Sequence, residues 1–257
     1  MKKLLPLLVT FALSAAMAAQ TNIPVGTVIP VELDRTIDAN HAKTGQTITA
    51  KVAQDVMFNG LTIKAGTRVQ GEILAATPAS GSQPAAVTLR FNQIDVSGKS
   101  MPVLTNLRAL ASPLEIEAAQ TQVSGDDRGS TPAWNQTTTL VGGNDVAYRE
   151  VGTLKSGTET VGKSVYAGNW GAVAPVAANP EGRCRGEIAN NNQPQSLWVF
   201  SHDACGAYGF DAVISHAGRS NPQGQIVLTS TKGNLKVRGG SAMLLRVDGN
   251  DSQVSQN

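Results

Sequence analysis

The sequence predicts a mainly β chain: a small antiparallel barrel or sandwich, interrupted by a long disulfide-stapled insertion, with one short helix near residues 113–123. Three observations carry this. Three segments, Ile23-Pro24-Val25-Gly26-Thr27, Ile63-Lys64-Ala65-Gly66-Thr67 and Val237-Arg238-Gly239-Gly240-Ser241, align without gaps, and each leads into a stretch whose alternate residues are apolar. Alternation of period two also marks the stretches between and beyond the first two segments. The texture then changes between Ser112 and Gly224, where eight of the ten aromatics that follow residue 18, both cysteines and two of the three histidines are found.

Residues 1–18 carry Lys2 and Lys3, an apolar run to about Ala15 and then Ala16-Met17-Ala18, the layout of a cleaved secretory signal. The repeats come next. In each, a glycine (Gly26, Gly66, Gly240) permits a tight turn that a β-carbon would oppose, and the strand behind it has one apolar face: Ile29, Val31, Leu33; Val69, Gly71, Ile73; Met243, Leu245, Val247. Between the first two copies, Ile48, Ala50 and Val52 alternate with polar residues, and Phe58-Asn59-Gly60-Leu61 is a two-residue hairpin signal. A small-residue loop from Thr77 to Ala86 precedes the alternating Val87, Leu89 and Phe91, and Ser97-Gly98 turns the chain toward Met101–Leu104. Ser112-Pro113-Leu114-Glu115 is a helix start, with Ser as cap and Pro in the first turn. The first part of the β domain is thus residues 19–112 and the aromatic-rich insertion 113–224. Residues 225–248 supply the closing strands, and 249–257 form a polar, disordered tail.

Charge narrows the function classes. Without Lys2 and Lys3 the basic and acidic residues balance, and no basic run remains to neutralise several phosphates, so nucleic acid is not the expected partner. No stretch after the signal has about twenty apolar residues, which leaves no membrane-spanning helix. The aromatics cluster in the insertion instead of forming two girdles, unlike a lipid-embedded barrel. An exported protein, periplasmic or extracellular, is expected.

The series Gly26-Thr27-x-Ile29-x-Val31-x-Leu33, Gly45-x-x-Ile48-x-Ala50-x-Val52-x-x-Asp55-Val56 and Ile63-x-Ala65-Gly66-Thr67-x-Val69-x-Gly71 resembles the C-terminal periplasmic β-barrel of the TrbI-type core scaffold of type IV secretion systems. The same run also resembles small exported bacterial β domains. The closing Gly240-Ser241 strand is similar to that family's last barrel strand. The resemblance covers about Ile23 to Leu104 and Ile226 to Val247, and it implies a non-enzymatic envelope scaffold that assembles in rings, hence a homo-oligomer. A cleavable signal here replaces the family's N-terminal membrane helix, and a Gly- and Asn-rich insertion replaces its pair of apolar helices.

The insertion holds the motifs that invite chemistry. Cys184 and Cys205, alone in an exported chain, predict a disulfide contributing roughly 3 kcal/mol by loop closure. The sharper alternative, a metal site from Cys184, His202, Cys205 and His216, lacks paired Cys-x-x-Cys geometry. Gly157 to Ser164 matches the phosphate-loop pattern G-x4-G-K-S letter for letter, but Gly168, Gly171 and Pro175 oppose the helix such a loop must open, so a Gly-rich surface turn is expected. Ser201-His202-Asp203 cannot align nucleophile, base and orienter on one extended strand.

Aromatic residues give the remaining clue. Trp134, Tyr148, Tyr166 and Trp170, together with His202 and His216, form a candidate surface for a glycan or an envelope protein. The competing reading makes Trp198, Phe200 and Phe210 a small core of the insertion itself. The sequence therefore predicts a non-catalytic envelope scaffold or binding module needing no cofactor. A glycan- or cell-wall-binding protein is the alternative, and a hydrolase built on His202 or His216 the third.

Overall fold

The computed structural model of the chain describes residues 22–58, 61–120, 123–124, 136–142, 145–149, 153–156, 159–164, 172–175, 194–200, 204–210, 213–215 and 223–249. The chain runs through β1 (Val28–Leu33), β2 (Ile37–Asp38), β3 (Thr47–Val52), β4 (Val56–Phe58), β5 (Leu61–Ile63), β6 (Arg68–Thr77), β7 (Ala85–Val96), β8 (Lys99–Pro102) and β9 (Leu104–Ala111) to helix α1 (Pro113–Gln120). Seven strands follow: β10 (Val123–Ser124), β11 (Gln136–Thr139), β12 (Asp145–Arg149), β13 (Thr153–Ser156), β14 (Glu159–Ser164), β15 (Ala172–Pro175) and β16 (Pro194–Trp198). They pair in chain order as an antiparallel meander. The last strands are β17 (Gly206–Tyr208), β18 (Val213–Ser215), β19 (Ile226–Ser230), β20 (Lys236–Val237) and β21 (Ala242–Gly249).

The protein is mainly β, and its two distant stretches share one sheet. Ten strands run in the order β17-β9-β21-β1-β3-β6-β7-β19-β18, with β8 also on β7. β21 pairs with β1 on one side (Ile29↔Leu245) and with β9 on the other (Met243↔Leu110), which joins the C-terminal strand to the N-terminal half. The expected barrel or sandwich is corrected in one respect: among the described residues no sheet closes into a barrel through its ladders. β8 pairs with β7 and β9 with β21, and the two are one run of chain interrupted at Val103, whose N–H donates to Asn92 O at 3.0 Å. The sheet turns back on itself at this corner, where Pro102 has no N–H with which to extend the ladder.

The turn-and-strand repeat occurs four times. Thr27, Gln46, Thr67 and Ser241 each donate their N–H to the carbonyl three residues back (Pro24, Lys43, Lys64, Arg238) at 3.0–3.1 Å. The residue before each donor is a glycine in the left-handed region: Gly26, Gly45, Gly66 and Gly240, with φ between +79° and +89°. These are type II turns, whose third position demands positive φ. The copies interlock in antiparallel pairs. Gly26 N–H donates to Val247 O and Val247 N–H to Thr27 O; Gly240 N–H donates to Leu33 O and Leu33 N–H to Ser241 O. Gly45 with Ile73 and Gly66 with Val52 repeat the arrangement. In all four copies the aliphatic residue that receives the bond lies seven positions after the glycine, so β1/β21 and β3/β6 are each latched at both ends by the same device. At Gly66 a Cβ would meet nothing within 4 Å, so Gly66→Ala costs only the left-handed conformation. We expect about 1 kcal/mol, read as a small shift of the urea midpoint.

The third and seventh positions after each glycine (Ile29 and Leu33, Ile48 and Val52, Val69 and Ile73, Met243 and Val247) fill the main core with Phe91, Leu107, Ile226 and Leu228. β9 and β21 are buried on both faces. Their second face, with Val28, Ala109, Ala242 and Leu244, packs under α1 (Ile116, Ala119) and under Val199, Phe200 and Ala204. The helix starts as the sequence predicts, with Glu115 N–H donating to Ser112 Oγ at 3.4 Å and Ile116 N–H to Ser112 O at 3.1 Å. It ends at Gln120, short of the expected Val123, which instead begins β10. Phe58 pairs with Leu61 across the expected hairpin, whose Asn59 and Gly60 lie outside the described residues.

Candidate functional site

The phosphate-loop match is resolved by secondary structure. Glu159–Ser164 is strand β14, with Lys163 paired to Thr153 and Val173, so this segment neither opens a helix nor stays a surface turn as expected. Trp134, Tyr166, Trp170, Cys184, His202 and His216 lie outside the described residues. Tyr148 takes its place in β12 opposite Leu154. Among the described residues no cysteine is free, and Cys205 is disulfide-bonded. Cys184, its expected partner, lies outside the described residues, so the stapled insertion is not described. Cys205 is also clasped locally: its N–H donates to Tyr208 Oη, which donates in turn to Cys205 O, both at 2.9 Å.

Trp198, Phe200 and Phe210 do not make a core of their own. Phe200 and Trp198 pack into the cluster that includes Val28, Ala242 and Leu244, and Phe210 packs on the main core. Trp198 sits at φ +53°, at the end of β16 where the chain turns down onto the main sheet. Trp198 and Phe200 thus pack the end of β16 against the main sheet.

Among the described residues a concave surface lies elsewhere, on the outer face of β1, β3 and β6. Antiparallel register sets Glu32 beside Lys51 and Lys51 beside Arg68 in one row across the three strands. Asp34 lies next, its N–H donating to Thr49 O at 3.1 Å. A groove of about 610 Å³ follows these rows, lined by Asp34, Arg35, Thr36, Thr47, Thr49, Lys51 and Arg68. A second hollow of about 470 Å³, sharing Asp34 and Lys51, continues between Glu32 and the turns at Gly66 and Gly240. Alternation alone puts a charge at the sixth position after each repeat glycine (Glu32, Lys51, Glu72, Arg246); Glu32 and Lys51 line these hollows, whereas Arg246 is buried.

The charges in the groove are unevenly paired. Lys51 Nζ lies 3.6 Å from Asp34 Oδ1, and the Arg90 guanidinium donates to Glu72 Oε1 at 2.8 Å nearby. Arg35 and Arg68 make no ion pair among the described residues. Partial burial raises the Glu32 carboxyl above the ordinary range; Lys51 opposes this and Asp34 adds to it.

The ribbon of β2 and β20 walls the groove through Ile37 and is held by Asp38. Asn234 Nδ2 donates to Asp38 Oδ1 at 2.9 Å, as does the Asn40 amide at 3.0 Å, with His41 at 3.5 Å and Lys236 at 3.8 Å. The Asn234 bond is the main cause of a lowered Asp38 carboxyl, helped by Asn40 and His41 and opposed by desolvation. A folded value below the unfolded one contributes stability above about pH 4 that is lost as pH falls through the folded value. Asp38→Asn is therefore expected to flatten the acid limb of the stability profile below about pH 5, measured by urea titration at stepped pH.

A buried polar group marks the second face of β9 and β21. Asn106 Nδ2 donates to Asp248 Oδ2 at 2.6 Å, Arg246 Nε lies 3.9 Å from Asp248 Oδ1, and Arg108 Nε donates to Ala204 O at 3.2 Å. Among the described residues no group of three or more His, Cys, Asp and Glu is placed to hold a metal ion, and no helix is long and apolar enough to cross a membrane. Comparison of the chain with protein-family models, curated proteins and solved structures gives no match.

Proposed function

We propose that the chain is an exported, non-catalytic scaffold or binding module of the cell envelope. The observation that carries this reading is the fourfold latch: paired strands locked at both ends by the same turn, with aliphatic side chains filling the inner face, make a rigid body whose chemistry faces outward. A rigid platform holds surface groups in fixed register, which suits assembly and recognition. The signal-like N-terminus and the resemblance of the repeats to the TrbI-type barrel support the same reading.

Size-exclusion light scattering of the chain lacking residues 1–18, with co-purification from the exported fraction and mass analysis under non-reducing conditions, tests it. A defined multimer or a stoichiometric envelope partner, together with loss of two hydrogens for a Cys184–Cys205 bond, is the expected result. A strict monomer at high concentration with no co-purifying partner would overturn the scaffold role.

A further inference from the structure

We propose that the groove over β1, β3 and β6 binds an oligoanionic saccharide, a ligand of a few sugar units bearing carboxylate or phosphate groups, with Arg35 and Arg68 as its charge contacts. Arg68 stands directly beside Lys51 on one face of the sheet. Like charges placed directly opposite each other across strands are destabilising unless something of opposite sign lies between them. Asp34 answers Lys51, but Arg68 has no carboxylate of its own. Extending the β6–β7 register from Val69↔Ile94 puts Asp95 next to Arg68, yet the two form no ion pair.

Arg35 enters the same groove from the segment between β1 and β2. Two guanidinium groups on different elements, each able to grip a carboxylate or phosphate with paired N–H donors, favour a ligand with separated negative charges. The floor between them offers the hydroxyls of Thr47 and Thr49 and no aromatic ring, chemistry matched to a polyhydroxylated body. At about 610 Å³ the groove has the volume of a small-ligand site. Binding here does not require copies of the chain to associate, so this inference and the assembly reading fail separately.

Isothermal titration of the purified full chain with trigalacturonate, tripolyphosphate and maltotriose tests the proposal. Trigalacturonate is expected to bind, more weakly as salt is added, and maltotriose not to bind. Arg35→Ala and Arg68→Ala should each weaken binding about tenfold, Arg68→Lys less, and Arg68→Glu should abolish it. Both arginines are exposed and Arg68 stands beside Lys51, so melting temperatures of the variants should be no lower than the parent's. Binding of tripolyphosphate without trigalacturonate, with the same arginine dependence, would overturn the saccharide assignment and leave a phosphate site. Failure of both anions, equal binding of maltotriose, or an affinity unchanged in Arg68→Ala would overturn it.

Discussion

Gly71→Ala is expected to destabilise the protein by about 3 kcal/mol or more, at the upper end of overpacking costs, although the same change at Gly66 costs only about 1 kcal/mol. The difference is one of space. A Cβ on Gly71 would lie 1.9 Å from Arg90 O and 2.9 Å from both Arg90 C and Phe91 Cα. All three atoms are backbone, so no rotamer change relieves the clash, and β6 and β7 must separate. Gly71 sits where the register slips between Gln70 and Gly71, with Gly71 opposite Phe91 and Gln70 opposite Gln93. In the other three copies of the repeat the same position holds Val31, Ala50 and Leu245, so the exception belongs to the β6–β7 contact and not to the turn. Equilibrium urea unfolding, comparing Gly71→Ala with Gly66→Ala, checks this; equal midpoints in the two variants would show that β7 yields at little cost.

The repeats were legible because both of their requirements are written in residue types. A positive φ selects glycine and a one-sided strand selects alternation, so Gly26, Gly66 and Gly240 identify three of the four latches. The fourth was missed as a repeat because Gln46 stands where Thr or Ser stands in the others, although its backbone bond to Lys43 is the same. That β21 shares a sheet with the N-terminal strands followed from that likeness, whereas its particular neighbours, β1 and β9, are set by register. Closure was less legible. Whether a sheet meets itself by a ladder or by a corner depends on a single break, at Val103 between β8 and β9, which alternation does not reveal. The groove is legible only in part: alternation marks Glu32 and Lys51 as outward charges, but Glu32, Lys51 and Arg68 lie 36 positions apart from first to last and become one row only through register. Aromatics and histidines stand out in a sequence because they are rare, whereas the groove uses commonplace charges and hydroxyls. Trp198 and Phe200 answered to packing, because an insertion must bury something against its host and large apolar rings do so efficiently.

Asp248→Ala is expected to cost about 3–5 kcal/mol, the range for breaking a buried charged group by removing one partner. The side chains of Arg246 and Asp248 are 3% and 0% exposed, and Asn106 Nδ2 reaches the same carboxylate at 2.6 Å. Truncation takes the acceptor from the Asn106 amide and the negative charge from beside Arg246, and water does not readily replace either on a face covered by the second sheet's attachment. The same physics predicts a non-additive rescue. Removing both charges at once, in Arg246→Met with Asp248→Leu, should cost less than Asp248→Ala alone, because a buried pair gains little over apolar groups of similar volume once desolvation is counted. A double-mutant cycle by urea denaturation reads the coupling between them. Additive costs would mean that Arg246 is held by groups other than Asp248, and that the polar cluster is two separate sites on one strand. A large favourable coupling would instead make the cluster a single electrostatic rivet between β9, β21 and the segment around Ala204, which Arg108 already reaches.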